Sequence, residues 1–436
     1  MNLLIQQSQI LLPNGEIAQL DLLVSQGKIT AIAPEIPPDS SYEIIDGQGL
    51  FLLPGVIDPQ VHFREPGLEH KEDLATASYA CAQGGVTSFL EMPNTRPLTT
   101  NQTALDHKLA LAAQKSVVNY GFFIGATKDN LTDLLTAKPV CGIKVFMGSM
   151  HGDLLVDQED TLEQIFAHGD RLIAVHAEDQ ARISERRKLF ANRTDVAVHS
   201  EIQDNQAALN ATKLAVSLSL KYQRRLHILH MSTAEEVEFL RQHKTELITA
   251  EVTPQHLFLN TSDYERIGSL AQMNPPLRSA ADNQALMQGL LDGTIDMIAT
   301  DHAPHTLTEK EQPYPKSPSG MPGVETSLAV MLTGAKQGRY GIADVSKWMS
   351  SNVAKAYKIP HKGEIRLGWD ADLILVNMTE YQPVLRKRLL TKCGWSPFEG
   401  YSLTGWVDTT IVGGQVVYAQ GKVNPAVHGQ ALVFAE

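Results

Sequence analysis

Residues 55–62 read GVIDPQVH, an apolar, β-branched run that finishes in Asp58, Gln60 and His62. Seven further runs repeat the design: GVTSFLEMPN (85–94), VVNYGFFIG (117–125), GIKVFMGS (142–149), RLIAVHAED (171–179), RLHILHMST (225–233), ELITAEVTP (246–254) and IDMIATDHAP (295–304). Most of the intervals hold segments of helical periodicity, such as ATASYACAQGG, TALDHKLALAAQK and NQAALNATKLAVSLSLKYQ. Strand–helix alternation eight times over residues 54–362 predicts an α/β fold, a (β/α)8 TIM barrel. A doubly wound open sheet competes with it, but such a sheet carries a glycine-rich phosphate loop after its first strand, and none follows residues 55–62.

Outward from this middle, the texture changes. Residues 1–53 read as short strands with hairpin signals at Asn14-Gly15 and Gln26-Gly27. Residues 363–436 share that style, in GEIRLGWDADLILVN and TTIVGGQVVYAQGKV. Both flanks together are expected to build one small β domain.

The chain has 436 residues, with Lys+Arg 37 against Asp+Glu 49 and a net charge of -12. That balance argues against nucleic acid, and any anionic substrate must be caught by local cations. Three cysteines, Cys81, Cys141 and Cys393, form no CxxC pair and suit a reducing cytoplasm. No basic segment followed by a long apolar core opens the chain, and no run of about 18 apolar residues exists, so neither a secretory signal nor a membrane span is expected. The Pro- and charge-rich stretch 306–318 reads as a plain surface loop.

Nearly every run finishes in a charged or metal-capable group: Asp58, Gln60 and His62, then Asn94, Lys144, His176, His230, and last Asp301, His302 and His305. A lone histidine at a strand end is more often a hydrogen-bonded structural group than a ligand. Polar groups at five strand ends are another matter, because barrels place chemistry at that face. Imidazole with carboxylate suits zinc or a similar divalent ion, with His62 and Asp58 as one cluster and His176 and His230 as another. Lys144 lies inside an apolar run, where a charge is costly to bury. One solution is an ion pair with a barrel-interior acid. The other is a lowered pKa, giving a neutral amine that captures CO2 as a carbamate able to bridge two metals. The bare sequence leaves both open.

At these residues the chain resembles the amidohydrolase superfamily, and within it the class I-type dihydroorotases, over essentially its whole length. IDPQVHFREPGLEHKED resembles the family's opening motif; MPNT (92–95), HAED (176–179), LHILHMST (226–233), EVTPQHL (251–257), MNPPLR (273–278), ATDHAPH (299–305) and SGMPGVET (319–326) follow in family order. The resemblance implies a catalytic barrel of the amidohydrolase type with a small β-sandwich domain formed by both termini. It implies His62 and Asp301 on one metal, His176 and His230 on the other, and an N6-carboxylated Lys144 bridging them, with one or two Zn2+ per subunit. It also places Arg64, Asn94 and His305 at the substrate's carboxylate, Asn274 and the backbone around Pro322 and Gly323 at its amide or ring nitrogen, and Asp301 as general acid and base. The implied reaction interconverts N-carbamoyl-L-aspartate with L-dihydroorotate and water in pyrimidine biosynthesis, in a cytoplasmic homodimer.

Two positions depart from the pattern. Gln60 stands where the motif has its first histidine, and an amide is a poor zinc ligand. Gln255 precedes His256 where many relatives carry a second histidine. His151, just after the fourth run, is either a compensating ligand or a loop residue. The rivals are other cyclic amidases (hydantoinase, dihydropyrimidinase, allantoinase), which bind no substrate carboxylate, and an inactive scaffold for aspartate transcarbamoylase, which Gln60 keeps in contention.

Overall fold

The computed structural model describes residues 2–150 and 152–435. The chain opens with strands β1 (Asn2–Leu11), β2 (Ile17–Ser25), β3 (Lys28–Ala33), β4 (Tyr42–Asp46) and β5 (Phe51–Pro54). Between β2 and β3, Gln26 and Gly27 both take positive φ (51° and 75°), the turn whose twist matches a hairpin.

The barrel follows as β6 (Val56–Val61), β7 (Val86–Glu91), β8 (Asn119–Phe122) with β9 (Ile124–Gly125), β10 (Ile143–Phe146), β11 (Ile173–His176), β12 (Leu226–Ile228), β13 (Ile248–Val252) and β14 (Met297–Ile298). Each of the eight apolar runs contributes a strand, β8 and β9 being the two halves of one. All pairings are parallel, within β6-β7-β8 and within β9 to β14. Phe123 N–H donates to Glu91 O at 3.0 Å and Cys141 N–H to Phe122 O at 3.0 Å, which joins the two groups. A parallel bridge from Val61 to His302, with His62 N–H on His302 O at 2.8 Å, closes the ring. Helices such as Leu74–Gly84, Gln102–Lys115 and Asn205–Tyr222 lie where the periodicity puts them.

The end of the chain adds β15 (Leu373–Asn377), β16 (Gln382–Pro383), β17 (Ser402–Leu403), β18 (Trp406–Val412), β19 (Gln415–Ala419) and β20 (Lys422–Val423). Strands from both termini form one nine-stranded sheet in the order β20-β19-β18-β15-β5-β1-β2-β3, with β4 on β1. Leu3, Ile5, Ile10, Leu22, Val24, Leu373, Leu375 and Ile411 pack together on it, so neither flank buries its apolar face alone. Among the described residues, no helix is long and apolar enough to cross a membrane.

One expectation needs correction. The stretch 306–318 carries a helical turn, Leu307–Lys310, and Lys310 is fully buried. Its Nζ donates to Gln272 O at 2.8 Å and Pro318 O at 2.9 Å, which ties the segment down from inside.

Candidate active site

The polar strand-end residues meet at the carboxyl ends of the barrel strands, where hydrogen bonds of the sheet have run out and side chains turn over the mouth. His176 ends β11, and His230 lies two residues beyond β12. His176 Nδ1 and His230 Nε2 are 3.0 Å apart. His62 Nε2 and Asp301 Oδ1 are 3.1 Å apart, and Gln60 Nε2 donates to the same Asp301 oxygen at 3.0 Å.

The ring protons can be placed. Asn94 Oδ1 only accepts, so His62 Nδ1–H donates to it at 2.7 Å and Nε2 keeps a lone pair facing Asp301. His176 Nε2–H donates to Glu178 Oε2 at 2.7 Å, which turns its Nδ1 towards His230. Burial lowers the pKa of His62, and lowers that of His230 well below the usual value, reinforced there by His176 and Lys144. An oxygen behind the ring, from Asn94 for His62 and Glu178 for His176, is the support that metal-binding histidines use, and His230 Nδ1 has none.

Lys144 lies on β10 with no exposed surface, and its Nζ has no hydrogen-bond partner. It sits 4.3 Å from the centre of the Phe146 ring. Burial pulls its pKa down to about 7 against the opposing charges of Asp301 and Glu251. Among the described residues Lys144 makes no ion pair, so the barrel-interior partner that the sequence left open does not form.

Asp58 is the second correction. It is pinned away from His62, accepting from Thr300 Oγ1 at 2.6 Å, Thr300 N–H at 3.1 Å and Gln60 N–H at 3.2 Å. It therefore holds two strand ends together. Gln255 and His256 are structural too: Gln255 Nε2 donates to Thr300 O at 3.0 Å, and His256 Nε2 lies 3.0 Å from Pro275 O. His151 lies outside the described residues.

Do these groups suit a metal ion? Among the described residues, no three His, Cys, Asp or Glu side chains form a group able to hold one. The donors come instead as two pairs, His62 with Asp301 and His176 with His230. Gln60 is the reason the first pair lacks a second imidazole. His62 Nε2 lies 3.1 Å from Asp301 Oδ1 and His176 Nδ1 3.0 Å from His230 Nε2, so each pair brings together donor atoms that one cation could share. Buried atoms without partners cluster with them: Lys144 Nζ, His230 Nδ1, Gln60 Oε1 and Glu178 Oε1. The donor chemistry fits a divalent ion provided that Lys144 supplies the missing anionic ligand.

A second group adjoins the first. Arg64 is 7% exposed, with Nε on Pro304 O at 3.1 Å and Nη2 3.2 Å from His305 Nε2. Burial lowers the pKa of its guanidinium to about 10, against the opposing charge of Asp301, so it stays cationic at neutral pH. His305 also touches Ser319 O at 3.0 Å and Lys71 Nζ at 3.0 Å. Asn274 Oδ1 lies 2.8 Å from His199 Nε2, which in turn is 3.4 Å from Ser319 Oγ. Gly320 takes φ 141°, and a Cβ there would stand 2.4 Å from Ala303 O, so only glycine lets this loop lie so close to the strand end. Gly323 N–H donates to His302 Nδ1 at 3.0 Å, and Gly323 O accepts from Thr326 and Ser327. Of the Pro322-Gly323 pair, that leaves the Pro322 carbonyl for a ligand.

Three site residues are backbone outliers: Arg64 (φ 69°), His230 (φ 35°) and Asp301 (φ 45°). Non-glycine residues seldom adopt positive φ, and strain of this kind collects where function requires a side chain to be aimed. Sequence reading missed Glu178, His199 and Lys71. Glu178 lay in plain view within HAED, and its hydrogen bond to His176 gives it a place; burial opposes its ionisation, but His176 and other donors prevail and lower its pKa.

The sequence pattern described as the amidohydrolase family matches residues 51–417. A dihydroorotase of Methanosarcina acetivorans is 36% identical over 94% of this chain and 91% of its own length. A dihydroorotase of Anoxybacillus flavithermus is 31% identical over 97% of this chain and all of its own. Among solved structures, an L-hydantoinase (dihydropyrimidinase) from Arthrobacter aurescens superimposes with a TM-score of 0.94 at 30% identity, covering 99% of each chain.

Proposed function

The chain belongs to the amidohydrolase family, and from that membership we propose that it is a dihydroorotase, closing N-carbamoyl-L-aspartate to L-dihydroorotate and reopening it. The observation that carries this reading is the buried Arg64 guanidinium, held by Pro304 O and His305 beside the His62–Asp301 pair. A buried cation next to a hydrolytic centre needs an anionic substrate group, and a planar guanidinium matches a carboxylate. Both named substrates carry one. Neutral cyclic amides do not.

His62, Asp301, His176 and His230 would hold one or two zinc ions, with Lys144 joining them once carboxylated. Carboxylation is a balanced step: the neutral Nζ attacks the carbon of CO2, an N–C bond forms, and one N–H proton leaves to solvent. The unpartnered, buried Nζ supports it. Such an ion would supply Lewis-acid activation of water and of the scissile amide.

The chain's own groups do the rest. Asp301 presents Oδ1 to His62 and Gln60, which leaves Oδ2 to take the proton from the attacking water and pass it to the leaving nitrogen. Arg64, Asn94 and His305 orient the carboxylate, and Asn94 Oδ1 also fixes the His62 ring. Asn274 and the Pro322 carbonyl are the groups for the ring nitrogen. We assign residues 54–362 to the catalytic barrel, and 1–53 with 363–436 to the small β domain. A homodimer in a reducing cytoplasm completes the reading, supported by three free, buried cysteines.

The likeness to an L-hydantoinase (dihydropyrimidinase) favours hydrolysis of a neutral cyclic amide as the second reading. The test is hydrolysis of L-dihydroorotate, hydantoin and dihydrouracil by the purified protein with zinc and bicarbonate supplied. Turnover of L-dihydroorotate alone is expected. Preference for hydantoin or dihydrouracil would establish the second reading, and a folded protein inert to all three would leave the scaffold role.

A further inference from the structure

One cavity, of about 810 Å3, does not lie at the barrel mouth. It lies at the opposite end, where Pro54 leads into β6 and Asn352 Nδ2 donates to Asp296 O just ahead of β14. Three exposed lysines, Lys347, Lys355 and Lys358, line it. Among the described residues none of the three makes an ion pair, whereas their neighbour Lys362 is neutralised by Asp370 and Asp372. The same wall carries two acids, Asp344, whose Oδ2 accepts from Gly341 N–H at 2.8 Å, and Glu364, which pairs with Arg366. A chain with a net charge of -12 therefore gathers four lysines against two acids along this cavity.

The backbone of that wall is unusual. Lys347–Ser351 is a π-helical turn, a widened form that recurs at functional sites. Lys358 (φ 53°) and His361 (φ 59°) are both left-handed without being glycine. The indole of Trp369 lines the same space, with the His361 ring edge-on at 6.0 Å. Cavities of roughly 300–1,000 Å3 are the size of small-molecule sites. A bare phosphate ion would fill little of it.

We propose that this floor cavity is a second ligand site, which takes a phosphate-bearing organic anion such as a nucleoside triphosphate. Lys347, Lys355 and Lys358 receive the phosphates, and Trp369 offers an aromatic surface to the organic part. The site is separate from the dihydroorotase reading and stands or falls without it.

Calorimetric titration of the full chain with ATP at low salt tests it, with tripolyphosphate and adenosine as further probes. Saturable binding of one ATP per chain is expected, weakened at least about tenfold in K355E/K358E and by added salt, with thermal midpoint unchanged in the variant. Absence of saturable ATP binding up to about 5 mM, or equal affinity in K355E/K358E, would overturn the proposal. Should the double variant not fold, K347E is read in its place by the same criterion. Tripolyphosphate binding as tightly as ATP would overturn the organic part of it.

Discussion

His176 Nδ1 and His230 Nε2 stand 3.0 Å apart although 54 positions separate the residues in the chain. Adjacent parallel strands bring their ends together, since Val175 pairs with Ile228, and the left-handed backbone at His230 swings its ring inwards. His230→Asn is expected to remove one nitrogen of this pair. Bound zinc measured by atomic emission should fall, with turnover lower by about a hundredfold or more at unchanged circular dichroism. Full zinc content in the variant would remove the pair from any metal site.

Lys144 is buried, unpartnered and aimed into the same space. Lys144→Ala should abolish turnover, and a short carboxylic acid should restore part of it by replacing the missing carboxylate. In the parent protein, 13C-bicarbonate should give a carbamate carbon resonance that the variant lacks. A fully active Lys144→Ala protein would end the bridging role.

Gln60 occupies one oxygen of Asp301 through its amide nitrogen. Gln60→His exchanges that donor for an imidazole lone pair and is expected to tighten zinc binding, read by competition with a chelator. Identical zinc affinity in the two proteins would show that position 60 does not reach the metal.

Arg64→Met removes a buried cation while keeping most of the side-chain volume. KM for L-dihydroorotate should rise about tenfold to a hundredfold, the range of a charged hydrogen bond, with the smaller effect on kcat. An unchanged KM would detach Arg64 from the substrate carboxylate and strengthen the neutral-ring reading.

Behind the site, where Glu91 Oε1 also accepts from Phe63 N–H at 3.0 Å, Lys108 and Glu91 form an ion pair at 2.7 Å with side-chain exposures of 1% and 0%. Burial raises the Glu91 pKa and lowers that of Lys108, each opposed by its partner. Lys108→Met leaves Glu91 buried and unpaired and is expected to cost about 3–5 kcal/mol in urea unfolding, whereas Lys108→Met/Glu91→Leu should recover much of it. Equal losses in both proteins would show that the pair itself is not what matters.

Much of this protein was legible in order along the chain. Strand and helix alternation is a local property of apolar spacing, so all eight barrel strands, Lys144 within β10 and the histidines at strand ends could be read directly. The two-terminus sheet could be expected as well, because residues 1–53 and 363–436 share the same texture of short strands and turns. What the chain could not disclose is which polar group faces which. Asp58 and His62 share a strand, yet Thr300 claims Asp58, from 242 positions away. Likewise Glu178 rather than solvent supports His176, and Lys144 finds no acid. Hydrogen-bond partners, and the positive φ angles that aim Arg64, His230 and Asp301, are settled only once distant strands close into a ring. Periodicity carries no information about contacts across that ring, so tertiary packing decides them.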